Sequence, residues 1–531
     1  MTVAGWGAFL ALGFSTVLSF RLFTDWDKKR QKKKVLQGEN FQTRNQMNGS
    51  TIGTKEHPFM WGDDFLSSED ASYSFISIGA PGSGKTLNIL FLMRTVAEHM
   101  KREGTDLRGL VYDSKTDILP KLKAIGFPEE DIIIFNPFDE RRWAWDAKRD
   151  ITKPNQADDF AALLIPQGKE EKDPYFTTTA RRLLAGVIKA FQHNCPNDWT
   201  FRDVLMASQT NNALKTVLDS CKYTKSLVSH FENEKTVESV RSTLDSNLDI
   251  LSTIAASWEN VPEERWFSLS DWFSSNKIVV LGNDGTAKEP IQRINRLFFS
   301  SLAKEILTQS GESKAKHWIF LDELRELGKL DALADLMITG RSKGASMVLG
   351  FQDVNGLYEE YGKQTALEII GCAQNIALLR LSPTATGTAD WASKVTGQLR
   401  YERDDISHTQ GEKHSTTKRK SIQTESNFLP SYFTLLPRVT EEGGMKGVFF
   451  TKKLYELTTP GKFLWKEING GEPSKSSIPI GAGDFSPFNP VSESLLLEPW
   501  NHDDLKRLRL FPEEEPANQD EPIRPENPAN V

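Results

Sequence analysis

The sequence predicts an α/β fold that is interrupted by a helical segment. Short apolar runs rich in β-branched residues alternate with helical apolar spacing between residues 72 and 135, and again between residues 277 and 381. Such alternation is typical of a mostly parallel sheet covered by helices. Between about Asn155 and Glu264 the strand-like runs nearly vanish and the apolar spacing becomes helical. We therefore expect an all-helical domain inserted into the α/β domain.

The chain begins with an uncharged apolar run. No charged residue occurs from Val3 to Phe20, and Arg21 and a cluster of lysines and arginine at 28–34 follow. This is about the shortest run that spans a bilayer as a helix, and basic residues stay on the cytoplasmic side. The sequence thus predicts one transmembrane anchor with the bulk of the protein in the cytoplasm. A cleaved signal peptide fits less well, because its basic flank precedes the apolar run.

Composition sets few limits on function. A chain of 531 residues suits more than one domain, and its 38% hydrophobic and 26% charged content is ordinary for a globular protein. The formal net charge of −7 gives no global sign of nucleic-acid binding, although a local basic channel is compatible with it. The three cysteines lack C-x-x-C spacing, which argues against a zinc site or a disulfide framework.

A glycine-rich turn lies between the first apolar run and the first helical pattern. It fits the phosphate-loop pattern G-x-x-x-x-G-K-[ST], with the strand and helix that this pattern requires on either side. The predicted nucleotide-binding residues are Gly79, Ala80, Pro81, Gly82, Ser83, Gly84, Lys85 and Thr86. The glycines let backbone N–H groups surround a phosphate chain. Lys85 can reach the β- and γ-phosphates and Thr86 can ligate Mg²⁺, so we expect ATP and Mg²⁺ to bind here.

A second motif follows the helical segment. The apolar run from His317 to Leu321 ends in Asp322 and Glu323. In a phosphate-loop ATPase, Asp322 would hold Mg²⁺ through water and Glu323 would polarise the attacking water. Many buried strands end in an acid, so the prediction depends on the phosphate loop upstream.

Four further polar residues are candidates. Arg341 lies between a helix and the next strand, where an arginine can stabilise transition-state charge, often on a neighbouring subunit's nucleotide. Gln352 ends that strand and can sense the γ-phosphate or position water. The alternatives to these functional roles are that Arg341 is an ordinary surface arginine and that Gln352 is a polar residue at the edge of the sheet. Asp113 and Lys115 lie at the end of an earlier strand. A position at the nucleotide-binding edge of the sheet and an ordinary turn account for this pair equally well.

Together these features resemble the type IV coupling proteins, the TraD/TraG-like membrane-anchored ATPases of bacterial conjugation and type IV secretion. The resemblance covers the chain from Met1 to about residue 455. It implies a RecA-like phosphate-loop NTPase domain with an inserted all-α domain, and six subunits around a channel. It also implies that Arg341 acts in trans and that Gln352 is a sensor. The expected partners are single-stranded DNA, the relaxase, secretion-channel subunits and lipid of the bacterial inner membrane. Many members have two membrane helices, whereas this sequence predicts one.

The predicted domains follow from these changes in pattern. They are an anchor (1–23), a connector (24–70), the first part of the nucleotide-binding domain (71–154), the all-α domain (155–265), the second part of the nucleotide-binding domain (266–460) and an acidic, proline-rich tail (461–531). The last residues of this tail, 511–531, are expected to be disordered.

Three other functions remain open. An FtsK-like or HerA-like double-stranded DNA pump usually lacks a large helical insertion, and here 236 positions separate Thr86 from Asp322. A receptor that selects protein substrates for type IV secretion, using ATP only for assembly, is a more serious alternative. A soluble metabolic kinase fits poorly with residues 3–34.

Overall fold

The computed structural model describes residues 34–37, 42–44, 54–168, 174–231, 234–409, 415–440, 444–451, 454–457 and 485–510. The predicted anchor at Val3–Phe20 lies outside these residues. Within the described ranges, no helix combines the length and the apolar character that crossing a bilayer requires.

A ten-stranded mixed sheet organises the protein. The strands are β1 (Lys34–Gln37), β2 (Gln42–Arg44), β3 (Phe59–Trp61), β4 (Asp64–Leu66), β5 (Phe75–Ile78), β6 (Arg108–Tyr112), β7 (Ile132–Phe135), β8 (Ala144–Trp145), β9 (Trp266–Phe267), β10 (Ile278–Leu281), β11 (Ser313–Asp322), β12 (Lys343–Phe351), β13 (Asn375–Leu378), β14 (Gln398–Thr409), β15 (Ser415–Ser426), β16 (Gly447–Phe450) and β17 (Leu454–Leu457). The sheet order is β2-β17-β16-β13-β5-β12-β11-β6-β10-β7. The seven strands from β13 to β7 are mutually parallel, so their carboxyl ends meet at one edge.

Helices cover the sheet and form the inserted segment. They are α1 (Ser68–Ala71), α2 (Lys85–Met100), α3 (Ile118–Ile125), α4 (Ala147–Asp150), α5 (Pro154–Leu164), α6 (Tyr175–Asn194), α7 (Phe201–Gln209), α8 (Asn211–Asp219), α9 (Glu234–Leu248), α10 (Ser252–Glu259), α11 (Leu269–Phe273), α12 (Lys288–Thr308), α13 (Leu333–Thr339), α14 (Val354–Tyr361), α15 (Lys363–Cys372), α16 (Thr386–Val395), α17 (Pro430–Leu435) and α18 (His502–Arg507).

Both faces of the sheet are buried. Successive side chains of a strand point to opposite faces, so Trp318 and Phe320 of β11 enter one core while Ile319 and Leu321 enter the other. The first core contains the apolar face of α2, and the second contains α12 and the inserted helices. Burial on both faces explains why the strands read as continuous apolar runs rather than as an alternating pattern.

The chain leaves the sheet after β7 and returns to it at β10, the neighbouring strand. Between these strands lie helices α4 to α11 and the short parallel pair of β8 and β9. In α6, the longest of these helices, Leu184, Val187, Ile188 and Phe191 are fully buried at helical spacing. The predicted helical segment is therefore present, and it shares a core with one face of the sheet.

The polar stretch at 402–426 forms much of a long hairpin. We expect from its composition either a mobile loop or a β-excursion, and the structure has the latter: β14 and β15 pair antiparallel from Gln398↔Ser426 to Thr409↔Ser415. Strand β1 pairs with β14, and β2 pairs with β17 at the edge of the large sheet. The connector after the predicted anchor thus contributes strands to two sheets.

Residues 485–510 lie within the predicted proline-rich tail, but they are folded against the rest of the protein. They pack mainly against the second core, which contains α12 and the inserted helices, and they contain helix α18, which begins with a capping box between Asn501 and Asp504. Asp203 of α7 is fully buried and accepts hydrogen bonds from Trp500 Nε1 at 2.9 Å and from Arg507 at 2.8 and 3.0 Å. We call residues 485–510 the C-terminal strap. The predicted disordered end, 511–531, lies outside the described residues.

Candidate functional site

The glycine-rich turn connects β5 to α2 at the carboxyl edge of the parallel strands. Gly82 and Gly84 have φ angles of +73° and +101°, which L side chains rarely adopt. Helix α2 begins at Lys85, directly after Gly84, so its first N–H groups face the turn. The turn thus has the backbone form of an anion-binding loop at a helix N-terminus. The Ser83 hydroxyl in the turn is buried and has no hydrogen-bond partner among the described residues.

Lys85 and Glu323 meet although 238 positions separate them in sequence. Lys85 Nζ lies 3.0 Å from Glu323 Oε1, and the two side chains are only 6% and 12% exposed. The Gln352 Nε2 amide lies 3.4 and 3.3 Å from the two Glu323 carboxylate oxygens. The ends of β11 and β12 therefore bring the predicted acid and the predicted sensor to the predicted lysine. Glu323 itself has a φ of +73°, a strained backbone conformation typical of functional positions.

Thr86 and Asp322 form the second contact between the two motifs. The Thr86 hydroxyl donates to Asp322 Oδ2, while Asp322 Oδ1 is buried with no partner in the described part of the chain. Burial raises the pKa of the Asp322 carboxyl, whereas the hydrogen bond from Thr86 and the charge of Lys85 oppose that rise. A hydroxyl and a carboxylate with a spare oxygen are the hard oxygen donors that Mg²⁺ prefers, usually together with substrate phosphates. These two residues therefore fit the expected metal.

Arg341 lies at the opposite edge of the sheet from Lys85. It is exposed, its guanidinium lies 3.5 Å above the Tyr73 ring, and its Nε is 3.4 Å from Ser72 Oγ. The nine-residue strand β12 separates it from Gln352, a length of about 30 Å. Within one subunit Arg341 therefore cannot reach the loop.

Asp113 has a structural role in this arrangement. Its carboxylate accepts the backbone N–H groups of Asp117 and Ile118 at 3.0 and 3.1 Å, at the start of α3. Burial raises its pKa to about 6. A small cavity lies beside it, lined partly by Thr86, Lys115 and Asp322. The ordinary-turn alternative accounts for Asp113, while Lys115 remains exposed at the rim of the site.

Sequence patterns did not single out Arg380 and Arg438, which lie beside the loop. The Arg380 carbonyl accepts the Ala80 N–H at 2.7 Å. Residue 438 precedes Val439, whose N–H donates to the Gly82 carbonyl at 3.1 Å. Only the pairing of β13 with β5 and the packing of Arg438, Val439 and Met445 on the loop reveal them, and no local motif marks either arginine.

The fold and the site together define a phosphate-loop NTPase of the α/β class. A family model described as the type IV secretion-system coupling protein DNA-binding domain matches residues 66–440. This match covers well over half of the chain, and the protein belongs to that family.

Relatives and solved structures agree with this assignment. The chain is 23% identical over 334 residues to the coupling protein TraD of Escherichia coli K12, covering 62% of this chain and 44% of TraD. It is 24% identical over 337 residues to the conjugal transfer protein TraG of Rhizobium radiobacter, covering 61% and 50%. The matched region thus spans about half the length of these relatives. The plasmid coupling protein TrwB, solved with ADP and Mg²⁺, has the same fold: a TM-score of 0.61 at 19% identity, covering 86% of this chain and 99% of that one.

Proposed function

We propose that this protein is a membrane-anchored, DNA-dependent ATPase of a type IV secretion system. It would bring single-stranded DNA, bound to its relaxase, from the cytoplasm to the secretion channel, and ATP hydrolysis would drive the transfer. Family membership supports the coupling role. The observation that carries the ATPase proposal is the meeting of Lys85, Thr86, Asp322, Glu323 and Gln352 at one sheet edge.

Each of these side chains has a role that follows from its contacts. Phosphate oxygens compete with Glu323 for the Lys85 ammonium, so nucleotide binding exchanges one anionic partner of Lys85 for another. Glu323 then remains held by the Gln352 amide, where it can accept a proton from the attacking water. Thr86 and Asp322 would hold Mg²⁺, which neutralises charge on the phosphates.

The position of Arg341 supports a shared site. Because it lies about 30 Å along β12 from Gln352, it can act on a nucleotide only from a neighbouring subunit. A head-to-tail interface of this kind closes into a ring when the rotation permits. We infer a homo-hexamer on DNA, in which each Arg341 stabilises charge at the next subunit's nucleotide.

The remaining partners rest on the family and the sequence. Movement along DNA by backbone contacts would show little sequence preference. Residues 3–20 would anchor the protein in the bacterial inner membrane, and the basic cluster that follows would contact anionic lipid. The helical segment between β7 and β10 supports the coupling role over that of a double-stranded DNA pump.

The test is phosphate release by the full chain in detergent micelles, with and without single-stranded DNA. We expect DNA to stimulate turnover and Lys85→Ala to abolish it. Lys363→Ala, an exposed lysine on α15, serves as the matched control and should hydrolyse normally. If single-stranded DNA does not change the ATP turnover of the wild-type protein, the motor proposal fails and the protein-receptor alternative takes its place. Stimulation by duplex DNA alone would instead favour the double-stranded DNA pump.

A further inference from the structure

The phosphate loop has two flanks of different character. The sheet order β13-β5-β12-β11 places the carboxylates of Asp322 and Glu323 on one side of the loop strand. Arg380, which follows β13, lies on the other side. The segment that carries Arg438 packs directly on the loop: Arg438 Cδ is 4.0 Å from the position that a Cβ on Gly82 would occupy. The acidic flank is thus opposed by a flank with two arginines.

Backbone hydrogen bonds tie the segments that carry both arginines to the loop. The Arg380 carbonyl and the Val439 N–H bond to the loop itself, at Ala80 and Gly82. The turn after Arg380 is tied to the segment of Arg438, because the Leu381 N–H donates to the carbonyl of the fully buried Phe433 at 2.9 Å. Packing is tight here, since a Cβ on Gly84 would lie only 2.7 Å from Val439 Cγ2. Binding a ligand in the loop would therefore order the arginine side chains but would require no ordering of their backbones.

The guanidinium groups of Arg380 and Arg438 have no bonding partner among the described residues. Arg380 is half-buried and Arg438 is exposed, and across the described ranges neither side chain forms an ion pair or a hydrogen bond. Arginine stays charged and presents a planar set of donors that matches phosphate oxygens. Lys85, in contrast, is already paired with Glu323. Two unpaired cations beside an anion-binding loop indicate a phosphate ligand.

We propose that Arg380 and Arg438 bind the phosphate chain of the nucleotide in cis, from the side of the loop opposite Asp322. This inference rests on the proposed function, because it assumes that the loop binds a nucleotide. The two arginines would add to Lys85 a second set of cations, and these cations belong to the same subunit as the loop. Arg341, in contrast, would act from a neighbouring subunit.

The test is the affinity of the full chain for fluorescent ATP and ADP analogues, measured by equilibrium titration. Charge-assisted hydrogen bonds to phosphate are among the strong ones, so we expect Arg380→Ala and Arg438→Ala each to weaken binding by about tenfold. The corresponding lysine variants should recover part of this loss, which distinguishes a lost charge from a misfolded loop. Arg400→Ala is the matched control, because Arg400 is an exposed arginine on β14 with no side-chain partner among the described residues.

The outcomes separate the two proposals. If the wild-type chain binds neither analogue, the proposed function fails. If it binds both and the two alanine variants bind as tightly as Arg400→Ala does, the inference is overturned while the proposed function stands.

Discussion

Replacing Glu323 by glutamine separates two effects of one carboxylate. The substitution keeps the shape of the side chain and removes its charge next to Lys85, whose Nζ lies 3.0 Å away. Their Coulomb attraction is about 5.5 kcal/mol at an effective dielectric constant of 20. Most of this is offset by desolvation, because both groups are largely buried. The net contribution of a hydrogen bond between charged groups is about 1.5–3 kcal/mol.

This net energy sets the expected change in affinity. Phosphate oxygens must displace Glu323 from Lys85, so loss of the carboxylate charge favours the nucleotide by about the same amount. We expect Glu323→Gln to bind ATP about 10- to 100-fold more tightly than wild type. Although ATP binds more tightly, turnover should fall by about 10²- to 10⁴-fold, because a positioned general base is lost.

Equilibrium titration with a fluorescent ATP analogue and a phosphate-release assay measure the two effects on the same preparation. Glu326→Gln is the matched control, since Glu326 is an exposed carboxylate three positions away that pairs with Lys288. The reasoning is refuted if Glu323→Gln binds ATP no more tightly than wild type. It is equally refuted if the variant hydrolyses ATP within about threefold of the wild-type rate.

Three further predictions concern the surroundings of the site. Gln352→Ala should lower turnover about tenfold without changing ATP affinity, because Glu323 loses an amide contact, as phosphate release and titration will measure. Asp203→Ala should destabilise the fold by about 3 kcal/mol and speed proteolysis within the C-terminal strap, because Arg507 loses a buried partner. Asp113→Asn should flatten the pH dependence of the unfolding temperature between pH 4 and 6. The pKa of Asp113 is raised to about 6 in the folded chain, so this carboxyl makes the fold more stable as the pH falls through that range.

Each of these has a contradicting result. Weaker ATP binding by Gln352→Ala would show that the amide contacts the nucleotide rather than Glu323. An unchanged proteolysis pattern in Asp203→Ala would mean that the strap is held without that carboxylate. An Asp113→Asn curve parallel to wild type would show that this group does not titrate between pH 4 and 6.

Local pattern predicted the sheet and most of the site. Strand β7 and the part of β11 from Trp318 to Leu321 are apolar because both sheet faces are buried there, and such runs are visible in the sequence. Parallel strands bring their carboxyl ends to one edge, so a lysine after β5 and acids after β11 were expected close together. The contact of Lys85 with Glu323 agrees with that expectation.

Long-range packing accounts for what the sequence did not reveal. The C-terminal strap contains three prolines, and it is ordered by contacts with Arg202 and Asp203, which occupy ordinary polar positions of a helix in the sequence. Arg380 and Arg438 come to the loop through strand order and through the packing of Val439 and Met445 on it, neither of which has a local signature.

The most direct test of the central claim, a nucleotide site shared between subunits of a ring, is to mix two inactive variants. Lys85→Ala lacks the loop lysine, and Arg341→Ala lacks the proposed trans arginine. In an equimolar mixture, about a quarter of the head-to-tail interfaces would join an intact loop to an intact arginine. The account predicts that DNA-stimulated ATP turnover recovers to about that fraction of the wild-type rate. Normal turnover by Arg341→Ala alone, or no recovery in the mixture, would contradict it.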